Sequence, residues 1–183
     1  MTRPHDRQHR RGPATAGPLR RLARDEPRAP SPYRPSVRNP VASRVEMSES
    51  EWKQRLSPTQ YVVLRRQATE AAGSGPLDGE KRAGTFRCAG CDAPLFSSAD
   101  KFDSGTGWPS FTRPVEPDAV GTKRDFKLLL PRTEVHCAAC HGHLGHVFGD
   151  GPAPTGQRFC MNSAAMVFEP ADGSEVVPGA SDV

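Results

Sequence analysis

Two cysteine pairs, Cys88-x-x-Cys91 and Cys137-x-x-Cys140, constrain this chain more than any other feature. Each pair sets two thiols on one tight turn, and two such turns complete a tetrahedral four-sulfur site that suits zinc or a mononuclear iron. The segment from Asp92 to His136 separates them, longer than the roughly 15–20 residues of a compact zinc ribbon. Such a site ties two distant hairpin ends together instead of nucleating a small finger, so its role is structural. The competing reading is two dithiol redox motifs or four unrelated thiols; a short β-like run before each pair favours metal. His136 and His141 flank the second pair as alternative ligands, although four cysteines already fill a tetrahedral shell.

The chain has five cysteines, so Cys160 is left over. It lies in Gln157–Asn162, which reads as a strand. Alternation puts Arg158, Cys160 and Asn162 on one face and Phe159 and Met161 on the other. The apolar face anchors the strand in a core. The polar face presents a thiol flanked by a fixed positive charge and an amide, a setting that favours thiolate. A lone cysteine can equally be a small buried hydrophobe.

Residues 1–46 carry eleven arginines, no lysine and the acids Asp6, Asp25, Glu26 and Glu46, while the whole chain is only +4. Everything from Met47 on is therefore net acidic, with no electrostatic reason to expect nucleic acid. The Arg/Pro-rich tail holds hardly any branched or aromatic apolar residue and cannot offset its ordering entropy, so it is expected to be disordered. A nucleic-acid arm, a transit peptide and a translation start at Met47 are alternative readings; the acids, the prolines and the missing amphipathic period weigh against transit. No run approaches the about 18 apolar residues of a membrane span, and the N-terminus lacks the apolar stretch of about 7–15 residues of a secretory signal. The cysteine pattern also argues against a disulfide-stapled secreted domain. The expectation is a soluble, cytoplasmic monomer that binds neither nucleic acid nor membrane, with a folded domain over 47–170 and a flexible tail over 171–183.

Within the domain, Ser48–Glu51 and Ser57–Gln60 are capping boxes, the second with proline at the first helical position. They predict two helices on the periphery, the second carrying Tyr61, Val62, Leu64 and Ala68 and dissolving around Ala72–Pro76. After Gly84 the signals are short and β-like: Thr85–Arg87, Pro94–Ser97, Phe126–Leu130, Thr133–His136, Gln157–Asn162 and Ala165–Phe168. Long loops are expected over Ser98–Thr122 and Cys140–Gly156, and loops of that length are often functional.

Three further features are hard to explain by folding alone. Phe102–Phe111 sets Trp108 and two phenylalanines among turn-forming residues, as a core plug or a ligand platform. His143 and His146 stand three residues apart in a Gly-rich stretch and suit acid/base work near neutral pH. With the Arg158/Cys160/Asn162 face they form a constellation for cysteine-nucleophile chemistry on a small, partly apolar substrate. A cysteine protease or an acyl transferase fits these residues as generic readings.

Cys88-x-x-Cys91, Lys101-Phe102-Asp103-Ser104-Gly105-x-Gly107-Trp108-Pro109-Ser110-Phe111, Cys137-x-x-Cys140, His143-Leu144-Gly145-His146-Val147-Phe148 and Arg158-Phe159-Cys160-x-Asn162-Ser163 together resemble the methionine-R-sulfoxide reductase B family. The resemblance runs from about Ser48 to Phe168 and leaves the Arg/Pro tail out. It implies a mostly β fold of two antiparallel sheets with peripheral N-terminal helices, and one structural zinc held by Cys88, Cys91, Cys137 and Cys140 away from the active site. It also implies reduction of methionine (R)-sulfoxide, free or in proteins, and hence repair of oxidised proteins under oxidative stress. Carried onto this chain, Cys160 attacks the sulfoxide sulfur, His143 and His146 supply protons to the departing oxygen, and Asn162 orients the substrate. Trp108 and Phe148 take the methyl group, and Arg158 tunes charge near the thiol. Asp150, between two glycines, reads better as a turn residue. Many members of the family carry a resolving cysteine where this chain has Thr106. The resemblance therefore implies a one-cysteine enzyme whose sulfenic acid is reduced by an external thiol such as thioredoxin or glutaredoxin.

Overall fold

The computed structural model describes residues 44–126 and 131–180. The expected tail lies almost wholly outside them, as does the apolar run beyond Phe126. Both capping boxes form. The Ser48 hydroxyl accepts the Glu51 N–H at the start of α1 (Glu49–Arg55), and Ser57 does the same for Gln60 at the start of α2 (Pro58–Arg66). Helix α2 ends earlier than expected, at Gln67, whose left-handed backbone (φ 56) stops it. Its buried face is Tyr61, Val63 and Leu64, while Val62 is 43% exposed, so the helical stripe is offset by one residue from the expected one.

The rest is β. The strands are β1 (Gly84–Cys88), β2 (Pro94–Ser97), β3 (Lys101–Phe102), β4 (Ser110–Phe111), β5 (Val120–Asp125), β6 (Arg132–Cys137), β7 (His143–Phe148), β8 (Arg158–Met161), β9 (Met166–Pro170) and β10 (Val177–Pro178). They make two antiparallel sheets, in the orders β10-β9-β1-β2 and β3-β4-β8-β7-β6-β5. The mostly β, two-sheet architecture with two helices is the expected one. Three parts of the strand reading are corrected. His143–Phe148, expected inside a loop, is buried β7 near the middle of the larger sheet, because Gly145 and its two histidines pack there instead of facing solvent. Val120–Asp125, expected to straddle the end of the Ser98–Thr122 loop, is an edge strand with an exposed polar stretch, which hides the usual apolar alternation. The tail expected to fray after Glu169 returns instead as β10, paired to β9 through Val177 and Phe168.

Five phenylalanines hold the two sheets together. Phe86, Phe96 and Phe168 belong to the smaller sheet, and Phe111 and Phe159 to the larger. Phe111 stacks on Phe96 at 4.4 Å and meets Phe86 edge-on at 4.9 Å, while Phe159 lies 5.9 Å from Phe96. Such contacts add about 0.5–1.5 kcal/mol each beyond area burial. This cluster buries the apolar face of β8 and so turns the face bearing Cys160 away from the core.

Candidate active site and metal centre

Cys88 and Cys137 end strands β1 and β6, and Cys91 and Cys140 sit on the turns that follow. The four sulfurs lie within 4.8 Å of one another. Cys88 Sγ is 3.7 Å from Cys140 Sγ and Cys91 Sγ is 3.6 Å from Cys137 Sγ. A tetrahedron with the usual Zn–S bond of about 2.3 Å has edges of about 3.8 Å, so the thiols already have the spacing of a metal shell. Cys137 is held well below the ordinary thiol range by sulfur hydrogen bonds from Cys140, Cys88 and Cys91. The helices brace both turns: Arg55 Nε donates to Gly90 O at 2.6 Å and Arg65 Nη1 to Cys140 O at 3.0 Å. His136 and His141 stand outside the cluster and pair with each other, ring centroids 5.5 Å apart. Four cysteines that can hold one metal ion are thus assembled by the meeting of the two sheets.

The other site is a small cavity of about 100 Å³. It is lined by Trp108, Phe148, Cys160, His146 and Asn162 together with Arg132, Gly145 and Thr69. Sheet register explains most of this. Ser110 stands opposite Cys160, Cys160 opposite His146 and His146 opposite Glu134, so one row across four strands places hydroxyl, thiol, imidazole and carboxylate on one face.

His143 reaches the same face by an irregularity. Residues three apart on a regular strand point to opposite faces. Here the register skips one residue of β7 between the pairs Val135↔Gly145 and His136↔His143, a bulge at Leu144. The two imidazoles therefore stand side by side, centroids 5.5 Å apart. Each has its own carboxylate. His143 Nδ1 is 2.9 Å from Glu134 Oε1, and His146 Nε2 is 2.8 Å from Asp125 Oδ2. Lys123 backs Glu134 at 3.3 Å, and Arg132 donates to Asp125 at 3.0 Å. With Nε2–H donated to Asp125 Oδ2, His146 has Nδ1 left as its other ring nitrogen.

The sequence reading missed Asp125, Glu134 and Arg132. The alternation of Arg132, Glu134 and His136 along β6 was the available signal, but Asp125 fell between an expected loop and an expected strand.

Cys160 is half-buried, 4.0 Å from the Thr106 hydroxyl. Burial pushes its thiol above the ordinary value, opposed by hydrogen bonds from Thr106 and Ser110 and by the charge of Arg158. The neighbours thus act toward thiolate, and burial outweighs them. Behind Thr106, Ser104 bonds both Thr106 and Ser110 at 2.8 Å.

Arg158 is not among the lining residues. Its guanidinium lies 4.5 Å over the Phe148 ring and donates twice to Asp150 at 2.9 Å. Asp150, read from sequence as a turn residue, is therefore the partner that fixes Arg158 on Phe148. Asn162 follows β8 and is buried. Its Nδ2 donates to Leu144 O at 2.9 Å and its Oδ1 accepts the Glu70 N–H at 3.0 Å. Trp108, half-buried, walls the cavity, and its Nε1–H is held by Glu70 O at 3.2 Å. No helix among the described residues is long and apolar enough to cross a membrane.

A family model described as the SelR domain matches residues 56–170. The chain is 56% identical over 127 residues to the peptide methionine sulfoxide reductase MsrB of Bradyrhizobium diazoefficiens, a match covering 69% of this chain and 91% of that one. It is 51% identical over 130 residues to the MsrB of Agrobacterium fabrum, covering 71% and 96%. Against peptide methionine sulfoxide reductase B1, chloroplastic, of Arabidopsis thaliana, identity is 53% over 121 residues, or 66% of this chain and 59% of that one. With both the four-cysteine cluster and the cysteine-bearing cavity in place, these matches show that the chain belongs to the SelR-domain family of type B methionine sulfoxide reductases.

Proposed function

We propose that this chain reduces methionine (R)-sulfoxide in proteins to methionine at Cys160, with an external thiol closing the cycle. Family membership makes it an oxidoreductase, a peptide-methionine (R)-S-oxide reductase. The observation that carries the mechanism is the row Ser110–Cys160–His146, with Trp108 and Phe148 closing the cavity above it. The cavity matches a thioether side chain: aromatic walls for the S-methyl group, and a polar floor for the oxygen.

The Cys160 thiol gives up its proton as its sulfur engages the sulfoxide sulfur. His146, its Nε2–H held by Asp125, takes that proton on Nδ1 and passes it to the sulfoxide oxygen, and His143, oriented by Glu134, supports it. The S–O bond breaks, the oxygen ends on Cys160 as a sulfenic acid, and the sulfide leaves. Cys160 sulfur is oxidised by two electrons and methionine sulfur reduced by two. Two equivalents of a thiol such as thioredoxin or glutaredoxin then return Cys160 to the thiol, releasing a disulfide and water.

No cysteine of this chain is available for that last step. The other four form the metal cluster, and the position beside Cys160 is Thr106. Those four residues, Cys88, Cys91, Cys137 and Cys140, would hold a structural zinc, which supplies folding energy and no reacting atom. None of them lines the Cys160 cavity.

Steady-state turnover of separated epimers with dithiothreitol tests the reading. The R epimer should be consumed, the S epimer should not, and Cys160→Ser should abolish turnover while keeping fold and metal. Turnover of S, or full activity in Cys160→Ser, would overturn it.

A further inference from the structure

One residue outside the row described above bonds two residues of the cavity wall through its main chain. Glu70 lies in the segment after α2, beyond the left-handed Gln67 and next to Thr69, which lines the cavity. Its main chain bonds two lining residues: its N–H donates to Asn162 Oδ1 at 3.0 Å, and its C=O accepts Trp108 Nε1–H at 3.2 Å. Its carboxylate accepts the N–H groups of Ser163 at 2.6 Å and Ala164 at 2.9 Å, on the single 3-10 turn that follows Asn162. Just beyond it, Gly73 N–H donates to Gly107 O at 2.7 Å, a second tie to the Trp108 loop. That approach requires glycine at 107, where φ is +83° and a Cβ would meet Gly73 N at 2.7 Å.

We propose that Glu70 is a positioning residue for the reductase reaction: its carboxylate fastens the segment Thr69–Gly73 to the Asn162–Ala164 turn, and so holds Trp108 and the Asn162 amide at the width a methionine sulfoxide side chain needs. Among the described residues, the carboxylate is the only side-chain group that Thr69–Gly73 contributes to this suture. The two bonds to Trp108 and Asn162 come from the backbone and hold only if that backbone is anchored. Burial pushes the Glu70 carboxyl up and the amide N–H groups of Ser163 and Ala164 pull it down; to the ionised form they are charge-assisted bonds, about twice as strong as neutral ones. They also satisfy donors at the start of the 3-10 turn that would otherwise be left unmet.

With Asn162 Oδ1 turned to Glu70 and Nδ2 to Leu144, the amide orientation is set. The second N–H of Nδ2 is left as the one hydrogen bond it can offer inside the cavity. Glu70 therefore decides a donor direction and an aromatic wall together, without touching substrate.

The claim rests on the reductase reading, and two measurements on the full chain separate the two. The first is acrylamide quenching of tryptophan fluorescence. Trp52 is 1% exposed and is silent to the quencher, so the signal reports Trp108. Glu70→Ala should raise quenching, and Glu70→Gln, which keeps one acceptor oxygen, should raise it less. This readout needs no turnover. Unchanged quenching in Glu70→Ala overturns the positioning role even if the enzyme reduces R-sulfoxide.

The second measurement is steady-state reduction of a short peptide carrying methionine (R)-sulfoxide. Glu70→Ala should raise KM about tenfold or more and change kcat by less than about threefold, because a wall that binds ground and transition states alike is lost. The iodoacetamide reactivity of Cys160 and the metal content should stay at wild-type values. An unchanged KM, or a loss in which KM, thiol reactivity and metal content all move together, contradicts the proposal. A wild-type enzyme inert on the R epimer fails the reductase reading instead, and the quenching result then still decides the role of Glu70.

Discussion

At Cys160 two influences oppose each other. Taking a sulfur out of water penalises its charged form, and this penalty exceeds the help from the Thr106 and Ser110 hydroxyls and the Arg158 charge. The sign of the Arg158 contribution is testable. A nearby cation favours thiolate, so its removal raises the Cys160 pKa further. The pH profile of iodoacetamide alkylation, followed on the Cys160 peptide by mass spectrometry, should have its midpoint above that of an ordinary thiol. In Arg158→Ala the midpoint should move to still higher pH. Movement to lower pH would show that Arg158 and its partner Asp150 act on the thiol in another way. Thr106 has its hydroxyl 4.0 Å from the thiol, as part of a bonded set with Ser104 and Ser110. It can donate a hydrogen bond to sulfur but cannot form a disulfide with it.

Among the elements, β7 decides the site. It pairs on both sides, supplies both histidines, and needs its bulge to turn them the same way. Gly145 is where it approaches β8 most closely: a Cβ there would lie 2.1 Å from Cys160 O, a clash with main chain that no rotamer relieves. Gly145→Ala should therefore cost about 1–3 kcal/mol of stability by forcing the strands apart, and should impair R-sulfoxide turnover beyond what the lost stability explains. Chemical denaturation beside activity measured on folded protein checks both. A variant with wild-type stability and turnover would mean the sheet absorbs the shift. This element was also the hardest to read. The cysteine pairs, the capping boxes and the alternation of Phe159 and Met161 about Cys160 were legible, because each is a local pattern with one physical solution. The strand character of His143–Phe148 was not, since glycine and histidine carry little β signal and a buried central strand lacks alternation. The acids behind the histidines were hidden for another reason: Asp125 and Glu134 are neighbours of His146 and His143 only through the pairing of β5, β6 and β7, which no local pattern encodes. Glu70 was hidden likewise, because its role runs through main-chain atoms.

For the molecule as a whole, the metal cluster joins the end of β1 in one sheet to the end of β6 in the other, and the two helices clamp its turns through Arg55 and Arg65. Purified protein should contain about one equivalent of zinc, and a strong chelator should unfold it cooperatively, with loss of activity tracking loss of metal. A well-folded, metal-free sample would contradict the assignment of Cys88, Cys91, Cys137 and Cys140. With those four thiols held by a metal, Cys160 would be the one thiol left for redox chemistry, so its fate is the central test. The most direct measurement is a single turnover with methionine (R)-sulfoxide and no reductant, read by intact and peptide mass spectrometry. The account predicts one methionine formed per chain and one oxygen gained on Cys160, trapped by a sulfenic-acid reagent, with nothing gained from the S epimer. Absence of reaction with the R epimer, or an intramolecular disulfide to Cys160 in place of the added oxygen, would contradict it.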